Sequence, residues 1–205
     1  DTDFHQMVAD MASIPRKQAK TINLGLFYGM GNKKLAAELG LDSDQAYELF
    51  NKYHDKVPFV KELSRQVSHV ASTRGYIKTL LGRKRRFDMW EPRDSWGERA
   101  YSLSEAHSQY PKQELKRAYT HTAMNALIQG SSADITKSAM IKSYEAGLLD
   151  EIDLKLTVHD ELDFSVEPLK QKCFDESLQI MKTCVDLKVP LKVDVEKGLN
   201  WGTIE

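Results

Sequence analysis

The stretch Arg16–Gly29, RKQAKTINLGLFYG, organises the rest of this chain. Pro15 is tolerated in the first turn of a helix and Gly29 can take the left-handed conformation that ends one, so the sequence predicts a helix over residues 14–29. Four side chains recur at every fourth position and therefore share one face: Arg16, Lys20, Leu24 and Tyr28. Cations near the positive end of the helix dipole favour a polyanion, so a triphosphate with its base toward the phenol fits this layout. For the two cations alone, a solvated helix face is the simpler interpretation.

Composition sets wide limits on the chain. Its 205 residues fit one domain or two small ones, and 41% apolar residues are enough for a core. The net charge of −1 favours no class of partner, no apolar run reaches the length of a membrane span, and no signal peptide opens the sequence. Cys173 and Cys184 are too far apart in one predicted helix to form a disulfide, so we expect reduced thiols and a cytoplasmic protein. The sequence begins without an initiator methionine, which leads us to expect a fragment.

Helical spacing of apolar residues covers much of the remaining chain. Helices are predicted at 1–13, 32–39, 42–56, 58–72, 115–128, 132–146 and 168–186. We expect Gly130 to interrupt the helical pattern between the fifth and sixth of these, and Leu169 to lie on the inner side of the last one. Alternating apolar residues predict a strand over Val189–Val195 near the end of the chain.

A basic window follows the helix at 58–72. Tyr76–Leu81 is predicted as a strand that leads into a turn at Gly82. Residues 74–86 hold six cations and no acid. Such a run is often a solubilising surface, but uncompensated cations also suit a track for a phosphate backbone. The candidate nucleic-acid contacts are Arg83, Lys84, Arg85 and Arg86.

A polar stripe marks the helix predicted at 115–128. His121, Asn125 and Gln129 follow one another at intervals of four residues. Amide side chains are costly to bury without partners, but they suit the DNA minor groove, where every base pair offers acceptors in nearly the same place. A polar helix face is the alternative interpretation if the stripe is taken alone.

Two alternating segments, Leu154–Val158 and Leu162–Val166, predict a β-hairpin. Its tip is formed by His159, Asp160 and Glu161. An acidic tip is usually a solvated turn, and alone it is only a weak indication of a metal site.

Taken together, these motifs resemble family A DNA polymerases, the group of bacterial DNA polymerase I and many phage replicases. The strings that carry the resemblance, in family order, are R-x-x-x-K-x-x-x-L-x-x-x-Y-G, T-L-L-G-R-K-R-R, M-N-A-L-I-Q-G-S-S-A-D and V-H-D-E-L. The family usually has Phe or Tyr at Leu24 and Arg at His121. The resemblance implies an α+β fold, mostly helical, with a small antiparallel sheet that carries the metal-binding hairpin.

The resemblance also implies a role for each candidate residue. Arg16 and Lys20 would bind the phosphates of a dNTP, and Lys20 would in addition protonate the leaving pyrophosphate. His5 would face the phosphates, Leu24 the sugar, and Tyr28 the templating position. Asp160 and Glu161 would hold two Mg²⁺ ions. Primer–template DNA would contact the basic window, the polar stripe and His159.

A second metal-binding carboxylate is expected from a D-Y-S-x-x-E string upstream of the nucleotide helix. This chain contains no such string, so we expect the fragment to be inactive alone. The predicted division is fingers over 1–73 and the C-terminal part of the palm over 74–205. The segment Phe87–Glu114 shows no clear period and is interpreted as a phage-type insertion.

Two other functions remain open at this point. Single-subunit phage-type RNA polymerases share a Lys-to-Tyr-Gly helix and a His-Asp turn, although Ser typically follows that turn where this chain has Glu161. A non-catalytic nucleic-acid-binding module derived from a polymerase is the other alternative. Processivity or replisome partners cannot be named from the sequence, and no membrane partner is expected.

Overall fold

Two structural units make up the chain in the computed structural model, which describes residues 3–94 and 97–203. Unit 1 comprises the residues up to Lys78 together with Gly82–Leu127. Unit 2 comprises Thr79–Leu81 and the chain from Ile128 onward. No helix in the described ranges is long and apolar enough to cross a membrane.

Unit 1 begins with five helices whose bounds follow the sequence signals closely. They are α1 (Phe4–Ala12), α2 (Arg16–Phe27), α3 (Asn32–Leu39), α4 (Ser43–Lys56) and α5 (Pro58–Arg74). Asp42 caps α4 through a reciprocal capping box with Gln45, as its position before the helix predicts. Gly75 ends α5 at a φ of 77°, a conformation that glycine adopts without steric cost. Tyr53, Ile22, Leu26, Leu35 and Val8 form much of the buried interior.

The rest of unit 1 contains two small antiparallel sheets. In the first, β1 (Tyr76–Lys78) pairs with β2 (Lys84–Arg86), so the predicted strand and the basic run form one hairpin. In the second, the strand order is β4-β3-β5. Its elements are β3 (Met89–Pro92), β4 (Tyr101–Ser102), α6 (Leu103–Gln109) and β5 (Leu115–Arg117).

The segment Phe87–Glu114 therefore contains two short strands and a helix, where the sequence showed no period. Arg117 of β5 packs against the end of α5. The Arg117 guanidinium lies 4.5 Å from the Trp90 ring centroid and donates to the carbonyl of Phe87. A side chain at Gly75 would collide with the same guanidinium.

The long helix α7 (Ala123–Glu145) corrects two predictions. The helix predicted from Leu115 begins only at Ala123, after a 3₁₀ turn, because Leu115 is drawn into pairing with Pro92 of β3. Gly130 does not interrupt the pattern, since α7 runs through it without a break. A glycine costs about 1 kcal/mol in a helix interior, which a helix of 23 residues tolerates.

Unit 2 contains the predicted hairpin, β6 (Asp153–Val158) paired with β7 (Glu161–Ser165), and α8 (Gln171–Thr183). Leu169 is 93% exposed, so its predicted inward position is wrong; it sits in a 3₁₀ turn before α8 begins. The predicted strand Val189–Val195 is also wrong, because this stretch is irregular and pairs with none of the described strands.

Where α7 and α8 pack together, the interface holds one buried polar pair and one buried thiol. The hydroxyls of Ser143 and Ser177 lie 3.0 Å apart. Cys184 is buried at the end of α8, whereas Cys173 is half-buried, and both thiols are free. The α+β prediction, helix-rich with a small sheet carrying the acidic hairpin, is confirmed.

Candidate active site

The predicted nucleotide face of α2 lies on the surface of unit 1. Arg16, Lys20 and Leu24 are exposed, Leu24 at 43%, and Tyr28 is half-buried at the C-terminal cap. The opposite side of the helix is anchored by Ala19, Ile22, Asn23 and Leu26, all buried. The helix ends at Phe27, two residues before the predicted end, and Gly29 follows at a φ of 87°.

A carboxylate that sequence reasoning did not single out holds Arg16. Asp3 lies 2.8 Å from Arg16 Nη2 and also accepts from Arg16 Nε and from the backbone N–H of His5. The hydrogen bond from Arg16 is the largest cause of a lowered pKa at Asp3. The contribution of the Asp3–Arg16 ion pair to folding stability is therefore fully present above the ordinary Asp pKa. It is lost as the pH falls through the lowered pKa of Asp3. Both side chains are about half-exposed, so this effect is small.

His5 belongs to a hydrogen-bonded chain that spacing gives no sign of. Its Nδ1 lies 3.0 Å from Asn23 Nδ2, and Asn23 Oδ1 accepts from the Tyr53 hydroxyl at 2.9 Å. Burial raises the pKa of Tyr53 to about 12. The chain holds half-buried His5 beside α2, the helix of the candidate phosphate ligands.

The basic hairpin β1–β2 sorts its cations onto two faces. Side chains alternate along a strand, so Lys78, Lys84 and Arg86 share the face of Tyr76, with Lys78 directly opposite Lys84. The ammonium of Lys84 lies 5.0 Å from the Tyr76 ring centroid.

Arg85 turns to the other face of this hairpin. It lies opposite buried Ile77, and its guanidinium lies 5.4 Å from the ring centroid of buried Phe87. Arg83 is exposed in the loop that precedes β2. The four basic candidates are thus not equivalent, because Lys84 and Arg86 present their charges differently from Arg85.

The predicted polar stripe is less regular than its spacing indicated. His121 lies in the 3₁₀ turn, whereas Asn125 and Gln129 lie one turn apart on α7. Asn125 belongs to unit 1 and Gln129 to unit 2. His121 and Gln129 are exposed, and Asn125 Oδ1 is buried without a hydrogen-bond partner among the described residues.

The two strands of the acidic hairpin are joined by a two-residue turn, His159-Asp160. The last residue pair before this turn is Val158 with Glu161. Glu161 is therefore the first residue of β7 rather than part of the tip. His159, Asp160 and Glu161 are all exposed, and His159 has a φ of 54°. Carboxylate oxygens are the ligands that Mg²⁺ prefers, so Asp160 and Glu161 suit it chemically. The described residues hold no cluster of three or more potential metal ligands, so this turn does not make a complete site.

The predicted site residues thus lie on a cationic helix face, a cationic hairpin and an acidic turn. The sequence profile of DNA polymerase family A matches residues 2–203, and the chain belongs to this family. Members of the family are in general metal-dependent.

Named relatives agree with this assignment. A DNA-directed DNA polymerase of Pseudomonas phage M6 is 39% identical and matches 98% of the chain, and DNA polymerase I of Caldicellulosiruptor bescii is 36% identical and matches 95%. A solved structure of the POL domain of Pol1 from M. smegmatis, in complex with DNA primer-template and dNTP, is 31% identical with a TM-score of 0.71 over 93% of the chain.

The chain spans only part of each relative's length. The matched region is 31% of the phage polymerase, 21% of the C. bescii polymerase and 32% of the M. smegmatis structure.

Proposed function

We propose that this chain is the nucleotide-binding and metal-binding part of a polymerase that adds dNTPs to a primer 3′-hydroxyl on a DNA template. The observation that carries the proposal is the α2 face, where two cations, an apolar residue and a phenol stand in order on the exposed side. The dNTP and primer–template in the M. smegmatis structure support the same assignment.

Arg16 and Lys20 would hold the triphosphate. Asp3 takes the Nε and Nη2 donors of Arg16, and a guanidinium has five N–H donors in all, so others remain for a phosphate oxygen. Lys20 forms none of the ion pairs among the described residues, and its ammonium would hold the transferring end and protonate the leaving pyrophosphate. Tyr28 at the helix end would guard the templating position.

Asp160 and Glu161 would hold divalent metal, which we propose to be Mg²⁺. When bound, two such ions neutralise charge on the triphosphate and acidify the attacking hydroxyl. Both carboxylates are exposed, Asp160 in the turn and Glu161 at the first position of β7. A further carboxylate, from an upstream segment, would complete the ligand set.

Primer–template DNA would be bound by charges spread along the chain. Lys84 and Arg86 suit a phosphate backbone because they share one exposed face of the basic hairpin. Asn125 and Gln129 would donate to minor-groove acceptors, which tests base-pair shape without reading sequence. His121 would lie at the start of this stripe, and His159 would lie near the primer terminus.

Lys20→Met in the polymerase that contains this chain tests the phosphate role. We expect single-turnover dNTP incorporation to fall by on the order of a hundredfold or more, because a charge and a proton donor are both lost. Lys17→Met is the matched control, since Lys17 is exposed on the same helix but lies off the nucleotide face. Equal rates for the two variants would contradict the proposal.

Substrate choice separates the remaining alternatives. A DNA polymerase extends a DNA primer with dNTPs in preference to ribonucleotides, whereas an RNA polymerase shows the reverse preference. Tight primer–template binding without extension by either substrate, in the full-length protein with divalent metal, would indicate a non-catalytic binding module.

A further inference from the structure

Three polar side chains form a chain through the interior of unit 1, where α1, α2 and α4 supply one each. The Tyr53 hydroxyl donates to Asn23 Oδ1 at 2.9 Å, and Asn23 Nδ2 lies 3.0 Å from His5 Nδ1. Tyr53 is 1% exposed and Asn23 8% exposed. Groups this deeply buried require hydrogen-bond partners, so each member of the chain fixes the orientation of the next.

Tyr53 sets the direction of both hydrogen bonds. Its phenol keeps its proton, because burial raises the pKa of Tyr53 to about 12. With the amide oxygen of Asn23 turned toward this donor, only the NH₂ group is left to face His5. An NH₂ group can only donate, so Nδ1 of the neutral imidazole is the acceptor and the ring proton is on Nε2.

His5 also stands next to the cationic face of α2. Asp3 accepts from the backbone N–H of His5 and from Arg16 Nε, each at 2.9 Å, so one carboxylate joins the two residues. Within residues 3–94 and 97–203, no group forms a hydrogen bond with His5 Nε2. The Nε2–H of a neutral His5 therefore has no partner among the described residues and is available to a ligand.

We propose that Asn23, held by Tyr53, is a positioning residue that presents His5 as a neutral Nε2–H donor to a phosphate oxygen of the nucleotide. The identity of that anion rests on the proposed function, whereas the proton location does not. Asn23 acts through His5 and touches no substrate. Arg16 and Lys20 supply charge, and His5 adds a directed hydrogen bond that fixes where the phosphate lies.

The proton location is tested by NMR on the 205-residue chain labelled with ¹⁵N-histidine, with His5→Gln to assign the signals. At a pH where the ring is neutral, we expect Nδ1 of His5 to be unprotonated in the wild type. Asn23→Asp keeps the acceptor for Tyr53 but replaces the donor with an acceptor, so Nδ1 should become protonated. Tyr53→Phe frees the amide to turn and should give a mixture.

Thr21→Asp is the matched control, because it adds the same charge at an exposed position of α2. It should leave the Nδ1 signal unchanged. A protonated Nδ1 in the wild type overturns the proposal without any variant, and so does an unchanged signal in a folded Asn23→Asp chain.

A dNTP-binding cycle in the polymerase that contains this chain tests the positioning role. His5→Gln and Asn23→Asp should each weaken dNTP affinity by on the order of tenfold, and the double variant should be no weaker than His5→Gln alone. Additive losses overturn the role of Asn23 through His5. The expected NMR result with unchanged dNTP affinity would instead overturn the assignment of the anion to a nucleotide.

Discussion

The chain contains two short antiparallel hairpins of opposite charge, and they place their charges differently. The basic hairpin β1–β2 spreads cations along its strands, with Lys84 and Arg86 on one face. The acidic hairpin β6–β7 concentrates Asp160 and Glu161 at and beside a two-residue turn. A phosphate backbone is a line of charge and is met by a line of cations, whereas a metal ion is a point and needs carboxylates that converge.

The two hairpins also differ in the residue that takes the positive φ. The basic hairpin has Gly82 there, at 87°, whereas the acidic hairpin has His159, at 54°. A side chain in this conformation costs about 1–2 kcal/mol relative to glycine. Strain of this kind persists where function compensates for it, so the imidazole at the acidic turn is a candidate for a role that glycine cannot fill.

Of the substitutions considered, Asp160→Asn should have the largest effect on activity. Without such an effect, the acidic hairpin could not be contrasted with the basic one as a metal site. In the polymerase that contains this chain, we expect nucleotide addition to fall by on the order of a thousandfold or more, because the amide cannot neutralise a divalent ion. Primer–template affinity should change little. Asp153→Asn, at the far end of the same hairpin, is the control. Near-normal turnover of Asp160→Asn would remove this carboxylate from the mechanism.

Neutralising Lys84 and Arg86 together should weaken duplex binding by on the order of tenfold, equally for all sequences. The slope of log affinity against log salt should fall by roughly 0.9 for each phosphate that the variant no longer neutralises. Arg85→Ala is the internal comparison, since its guanidinium packs on Phe87 and should leave the slope nearly unchanged. Equal slopes for all variants would reduce the hairpin to a solvated surface.

We propose that Leu24 on α2, rather than either hairpin, contacts the sugar of the nucleotide. A leucine has no hydroxyl to replace a missing 3′-hydroxyl, so the enzyme should discriminate against dideoxynucleotides. Leu24→Tyr should relax this preference by on the order of tenfold. Single-turnover competition between dNTP and ddNTP measures the ratio. An unchanged ratio would mean that Leu24 does not face the sugar.

His159→Gly should have the smallest effect. It tests the difference between the two hairpins in the residue that adopts a positive φ. Relief of strain should raise the free energy of unfolding by at most about 1 kcal/mol, partly offset by the entropy of glycine in the unfolded chain. Denaturant unfolding of the variant measures this change. Gly82→Ala is the reverse control and should destabilise. A loss of primer extension in stable His159→Gly would establish a role for the imidazole.

Local signals were sufficient to predict the first helices of unit 1. The predicted ranges for α3 and α4 agree with the structure to within one residue, because capping and stop residues flank them: Asp42 and Gly40 adopt the expected cap conformations. The acidic hairpin was predicted from alternation alone, since its strands are adjacent in sequence and joined by a tight turn.

Non-local pairing could not be predicted. The three-stranded sheet of unit 1 joins Trp90 to Arg117 and Pro92 to Leu115 through strands of two to four residues, too short to show a period. The tail near Val193 shows the opposite error: it alternates like a strand, but no described strand pairs with it, so its backbone stays irregular.

The residues of the candidate site show the same difference between local and non-local signals. Arg16, Lys20 and Asp160 could be proposed as candidates because each belongs to a short motif with fixed spacing. Asn23 and Tyr53 could not, because their link is a hydrogen bond between residues 30 positions apart. The sequence shows that Asn23 is an amide, but its spacing does not indicate that it is buried with two hydrogen-bond partners.

The two cysteines allow the rate of thiol labelling to report on local opening of the chain. Both lie in unit 2, and the sequence has no others. A thiol reagent meets half-buried Cys173 in the folded protein, whereas Cys184, whose thiol donates to the carbonyls of Ile135 and Met181, is reached only when α8 leaves α7. The rate of the slow phase, which is the labelling of Cys184, therefore measures the opening of unit 2. Unit 1 has no cysteine, so its own fluctuations do not contribute to the signal.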